Sequence, residues 1–166
     1  MPQQSHHISW KWSLLRHLPV ILAYRLFALR EAVFIVEQQC AYQELDGKDE
    51  SAWHLLGLSN NDPVTCLRVL PPASVSGHYR IGRVAVDAAW RGKGLARQLV
   101  ELAIRRIRDE AGHANIVLDA QTYLRTFYES MGFYVTGDEF AEDGIPHIPM
   151  QIDWSQAAAH EVTDGL

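Results

Sequence analysis

The residues best placed to do chemistry are two glycines set among cations. In "RIGRVAVDAAWRGKGLARQLVELAIRRI" a compact apolar run gives way to Arg91-Gly92-Lys93-Gly94-Leu95-Ala96-Arg97 and then to a pattern with helical spacing. One capping residue is enough to begin a helix, so this junction holds more than punctuation requires. A strand that enters a glycine turn and then a helix presents backbone N–H groups with no intrahelical partner, beside the positive end of the helix dipole. Such a turn suits an anion. Glycine at 92 and 94 keeps side chains away from a bulky diphosphate and permits positive φ, while Arg91, Lys93 and Arg97 supply local positive charge. Two nucleotide fingerprints fail here. GxxxxGK[ST] is absent, and reading GxGxxG from Gly92 puts Arg97 where the third glycine belongs.

Proton-accepting groups are available at Glu37, Glu44, Asp46, Asp119 and His147. His147 sits between Pro146 and Pro149, a stiff setting for an imidazole, the side-chain type that exchanges protons most readily near neutrality. Glu37 lies where the first helical stretch meets a loop. No spacing links any of the five to Tyr128, so residue type alone leaves the base open.

Several elements must position these groups. Ile8, Trp10 and Trp12 alternate with polar residues, as in a half-buried strand, and Pro19 to about Val36 predicts a helix. "EQQCAYQELDGKDES" reads as a loop, followed by a hairpin of "AWHLLGLS" and "VTCLRVL" around Asn60-Asn61-Asp62-Pro63. "YRIGRVAVD" is the strand before the glycine turn, and a helix is predicted from about Gly92 to Glu110. On that helix Leu95, Leu99, Val100, Leu102, Ala103, Ile104 and Ile107 share one arc, and Arg106 is the one charge within it. "NIVLDAQ" reads as a strand and "TYLRTFYESMG" as a short helix stopped by Gly132. "FYVTGDEF" and "IPMQIDW" follow as two late strands around a loop, "AEDGIPH". The order predicts an α/β single domain over residues 8–154, with a mixed, largely antiparallel central sheet and helices on both faces. Residues 155–166 lack an apolar face and are expected to form a flexible tail.

Composition narrows the partners. At 166 residues, with 48% hydrophobic and 21% charged, the chain can bury one real core. Its formal charge of -5 is the wrong balance for a general binder of nucleic acid, so any anion site has to be local. Cys40 and Cys66 stand in apolar stretches outside CxxC or CxxH spacing, which points to a reducing cytoplasm and to neither a metal knuckle nor a disulfide scaffold. No signal peptide or membrane span is expected, because no apolar run reaches about 18 uncharged residues. His6 and His7 read as a polar flank, and no metal is expected.

The string Arg91–Ala96 is similar to the R/Q-x-x-G-x-G/A signature of the GNAT acyltransferases, with Ala96 as the permitted final residue. "RVAV" stands where that family's fourth strand lies, "FYESMGF" from Phe127 to Phe133 matches its second motif, and the element order agrees across residues 8 to 153. "VFIVEQQCAYQELDGKD" and "EDGIPHIPM" resemble the ElaA-type branch. Gln121 departs from the asparagine of many relatives. The resemblance implies the acyl-CoA N-acyltransferase fold. The diphosphate of acetyl-CoA would rest on Gly92, Lys93, Gly94, Leu95, Ala96 and Arg97, with Arg91 beside it. The pantetheine arm would pair with Val84, Ala85 and Val86 like an added strand, and Gln121 and Phe127 would border the cofactor.

By the same resemblance, a backbone N–H near Val84 to Val86 stabilises the oxyanion and Tyr128 assists the departing thiolate. Glu37 is the favoured base because it lies where relatives bind acceptors, with His147 as the other choice. The expected activity is acetyl transfer from acetyl-CoA to a primary amine of a small molecule or peptide by direct attack. Neither nucleic acid nor membrane takes part, and a homodimer is open. Two alternatives stand beside it: a non-catalytic acyl-CoA-binding sensor, and an acyl-homoserine lactone synthase-like enzyme, whose N-terminal region the Arg30, Phe34 and Glu37 cluster resembles.

Overall fold

The structure, a computed structural model, describes residues 7–161. The element order runs β1 (Ser9–Leu14), α1 (Val20–Glu31), β2 (Trp53–Ser59), β3 (Asp62–Leu70), β4 (Tyr79–Val86), α2 (Leu95–Ala111), β5 (Ile116–Gln121), α3 (Arg125–Glu129), β6 (Phe133–Val135), β7 (Phe140–Glu142), β8 (Ile145–Ile152) and α4 (Trp154–Glu161). The strands form one eight-stranded sheet in the order β1-β2-β3-β4-β5-β8-β6, with β7 also on β8. Only the β4–β5 pairing is parallel.

Each face of the sheet carries its own core. On one face α2 and α3 cover Leu55, Leu67, Val69, Ile81, Leu118 and Met150, with Leu99, Val100, Ala103 and Ile107 supplied by the apolar arc of α2. On the other, Leu26, Leu29 and Val33 pack on Leu56, Leu58, Cys66 and Ala85. Arg106 enters the apolar arc with its guanidinium over the rings of Trp12 at 5.7 Å and Trp53 at 5.4 Å and paired with Glu110.

Four features differ from the sequence reading. The first helix does not run evenly to Val36: α1 passes at Ala32 into a π-helical turn that ends at Glu37. α2 begins at Leu95, after the glycine turn rather than within it. "AEDGIPH" is not a loop, since Asp143 and Gly144 (φ 49° and 77°) close a tight hairpin between β7 and β8 and place His147 on a strand opposite Gln121. Finally, Trp154–Glu161 are helical. Asp153 accepts from the N–H of Ser155, Trp154 stacks on His113 and donates its indole N–H to Ala114, and Trp154 and Ala157 both pack against the core. Residues 162–166 of the expected tail, and His6, lie outside the described residues.

Candidate active site

Local irregularity in β4 opens the site. Against β3 the register passes from Cys66 opposite Ala85 to Arg68 opposite Gly82, so Leu67 alone faces both Arg83 and Val84, a bulge. Arg83 takes φ +52°, a left-handed conformation that costs a non-glycine residue about 1–2 kcal/mol. On its other side β4 pairs with β5 only at Tyr79–Ile116 and Arg80–Val117, and beyond these the two strands part. The carbonyl of Ala85 accepts from Thr65 Oγ1, and the N–H of Asp87 donates to Val64, so both face β3. Strand alternation then turns the N–H and C=O of Val84 and Val86 toward the gap.

The gap is the floor of a cleft of about 1010 Å3. Among the residues proposed from sequence, Glu37, Val84, Ala85, Val86, Arg91, Ala96, Gln121, Phe127, Tyr128 and His147 all line it; Gly92, Lys93, Gly94, Leu95 and Arg97 do not. Lys93 and Leu95 border instead a smaller pocket with Ile8, Trp10, Trp90 and Gln98. At the end of β4 the chain turns through Gly92 and Gly94, with φ of 74° and 75°. A Cβ on either would meet nothing within 4 Å, so left-handed backbone rather than crowding selects glycine there. No side chain caps α2, and Gln98 N–H bonds to Gly94 C=O, which leaves the amides of Leu95, Ala96 and Arg97 without a helical acceptor.

The three cations of this segment each hold a protein partner. Arg91 donates from Nε to the Val86 carbonyl and from both Nη atoms to Glu37. Lys93 lies 4.4 Å from the centre of the Trp90 ring, and Arg97 bonds to Glu101 and Ser130. The hydrogen bonds from Arg91 also hold the Glu37 carboxyl below its usual range, so the base favoured from sequence is engaged by a cation in this structure. Glu44, Asp46 and Asp119 are likewise bound to arginines.

His147 is different. Its Nδ1–H donates to the Ile145 carbonyl at 2.7 Å, so the neutral ring carries its lone pair on Nε2, and Glu142 Oε2 lies 3.8 Å from that atom. Tyr128 is 6% exposed, its ring edge-on to Phe127 and Phe133. No described residue hydrogen-bonds its hydroxyl, and burial pushes its pKa up to about 12. Among the described residues no group of His, Cys, Asp and Glu is arranged to hold a metal ion, and no helix is long and apolar enough to cross a membrane.

The family model for the acetyltransferase (GNAT) domain matches residues 24–154. The chain belongs to the GNAT acetyltransferases. Protein ElaA of Escherichia coli is 38% identical over 151 residues, covering 89% of this chain and 99% of that protein. Its crystal structure superposes with a TM-score of 0.83 at 36% identity, over 89% of this chain and 100% of that one. An acyl-CoA N-acyltransferase from Pseudomonas aeruginosa gives a TM-score of 0.84 at 35% identity with the same coverage. These place the chain in the ElaA-like branch. The fold alone is shared with a GNAT acetyltransferase from Elizabethkingia anophelis with acetyl-CoA bound, at a TM-score of 0.65 and 16% identity over 88% of this chain and 97% of that one.

Beside the cleft this GNAT domain carries a feature that sequence reasoning missed, a closed ring of alternating charges. Arg83 donates to Glu44 (3.0 Å), which also accepts from Arg30 (2.6 Å); Arg30 donates to Asp49 (2.7 Å), which accepts from Arg68 (3.2 Å). Arg68 grips Asp46 with two bonds of 2.8 Å, and Asp46 returns to Arg83 at 3.4 Å. Arg30 is 1% exposed and Arg68 4%. Burial opposes the charges on Asp46 and Asp49, but the facing guanidinium groups outweigh it and hold both carboxyls below the usual range. Beneath the ring, buried His54 bonds to the Asp49 carbonyl, and desolvation lowers its pKa. The available signal was three acids at 44, 46 and 49 in one loop, and arginines at 30, 68 and 83 within apolar stretches. Only contact in space shows that they match.

Proposed function

We propose that the chain is an acetyl-CoA-dependent N-acetyltransferase that transfers acetyl to a primary amine of a small molecule or peptide by direct attack on the thioester. One observation carries the reading: β4 has no strand partner on its β5 side at Val84–Val86, and the chain continues through a short turn at Ala88–Trp90 and the two glycines to the uncapped amides of Leu95, Ala96 and Arg97. A diphosphate suits those amides and the adjoining helix dipole, and an amide-bearing pantetheine arm suits the unpaired edge. The Elizabethkingia protein holds acetyl-CoA on this fold.

In the proposed reaction the neutral amine attacks the thioester carbon, the new N–C bond forms and the C–S bond breaks. A Val84 or Val86 N–H stabilises the oxyanion. His147 Nε2 takes the amine proton, and the resulting imidazolium faces Glu142. Tyr128, with its pKa near 12, stays a hydroxyl. Transfer of its proton to a thiolate of pKa about 8.5 would be uphill by about 5 kcal/mol, so it serves the leaving sulfur as a hydrogen-bond donor.

Thiol release from acetyl-CoA across a panel of amines tests the reading. Tight acetyl-CoA binding without turnover of any amine would favour the sensor alternative. Tyr128→Phe is expected to lower kcat about 10-fold, the scale of one charge-assisted hydrogen bond, with acetyl-CoA affinity by calorimetry unchanged. For His147→Ala the expected fall in kcat is about 10²–10⁴-fold, the range of general-base catalysis, and full activity in this variant would return the role of base to another group.

A further inference from the structure

We propose that Arg83 is a positioning residue: the charge ring clamps its side chain, so holding the left-handed backbone that makes the β4 bulge and aims the Val84 and Val86 amides at the acyl carbonyl. This rests on the acetyltransferase reading for its chemistry, but its structural half does not. Three facts meet at this residue. Arg83 is a non-glycine at φ +52° within a strand, a conformation that persists only where the surroundings impose it. It stands in the two-against-one step of the β3–β4 register, the step just before the residues whose amides face the gap. Its guanidinium is held by the Glu44 carboxylate (3.0 Å), the Glu44 carbonyl (2.9 Å) and Asp46 (3.4 Å), and lies over the Tyr42 ring at 5.7 Å.

The clamp comes from the loop that borders the cleft on the α1 side, and Arg30 and Arg68 anchor that loop in turn. A change in the position of Glu44 and Asp46 is therefore carried to the amides beside the thioester. Loop and cofactor slot are mechanically one unit.

Two substitutions in the full chain separate backbone from clamp. Arg83→Ala removes the ring bonds and keeps the conformational penalty, whereas Arg83→Gly removes the same bonds and also the penalty. Hydrogen exchange at the amides of Gly82–Ala85 is expected to rise at least ~10-fold in Arg83→Ala and to stay within ~3-fold of the parent in Arg83→Gly. With an amine that is turned over, kcat is expected to fall ~10-fold or more in Arg83→Ala, with KM for acetyl-CoA within ~3-fold, and to recover most of the way in Arg83→Gly. Parent-like exchange in Arg83→Ala overturns the proposal, as does an Arg83→Gly chain as perturbed as Arg83→Ala, which would leave the ring a purely structural fixture. Exchange needs no turnover, so a chain that acetylates nothing yet shows this pattern loses the enzyme reading and keeps the clamp. Should Arg83→Ala not fold, Glu44→Gln with the same exchange measurement takes its place: faster exchange confined to the bulge supports the clamp, and unchanged exchange refutes it.

Discussion

Gly94→Val is expected to weaken coenzyme A binding at least ~100-fold, about 2.7 kcal/mol, while the fold stays intact. At φ +75° a β-branched residue is strained, so the turn has to move and the amides of Leu95, Ala96 and Arg97 lose their common aim. Gly94 is solvent-exposed and packs against nothing within 4 Å, and the buried face of α2 begins only at Leu95, so circular dichroism and the unfolding midpoint should change little. Calorimetry with coenzyme A on the purified variant checks it. Parent-like affinity would mean that the diphosphate lies elsewhere. Gly94→Ala, strained but small, should fall between the two.

The largest stability effect is expected from the charge ring. Arg30→Met leaves Glu44 and Asp49, both nearly inaccessible, without their principal partner, and breaking a buried pair in this way costs about 3–5 kcal/mol. For a domain of this size that lowers the midpoint by about 10 °C, read by thermal unfolding. The ring also has a pH signature. Asp46 and Asp49 are depressed in the folded state relative to an unfolded value near 3.9, so their contribution is complete above about pH 4 and is lost as pH falls toward their folded values. Stability should therefore decline steeply below about pH 4, and the acid limb should flatten in Asp46→Asn and Asp49→Asn, which are less stable at neutral pH. An unchanged acid limb in both variants would remove the ring from the account of stability.

Much of this protein was determined by local chemistry that any chain of these residues would obey. The alternation at Trp10 and Trp12, the apolar arc of α2 and the Asn60-Asn61 turn each follow from spacing within a few residues, and the fold class follows from their order. The glycine turn was legible for the same reason, because left-handed backbone at 92 and 94 and an uncapped helix start are local properties. The hairpin at Asp143-Gly144 is local too, since both residue types accept the left-handed backbone of a two-residue turn.

What the tertiary structure alone decided is which charges are free. Glu37 and Arg91 are far apart in the chain, and nothing in either neighbourhood announces that one neutralises the other. The ring draws its members from α1, a loop and two strands, and sequence shows only that acids and arginines exist. Hydrophobic periodicity is written along the chain because a helix or strand face repeats at fixed intervals. The partner of a charge is fixed by where distant segments meet, so the engagement of Glu37 by Arg91 shows only in the packed molecule.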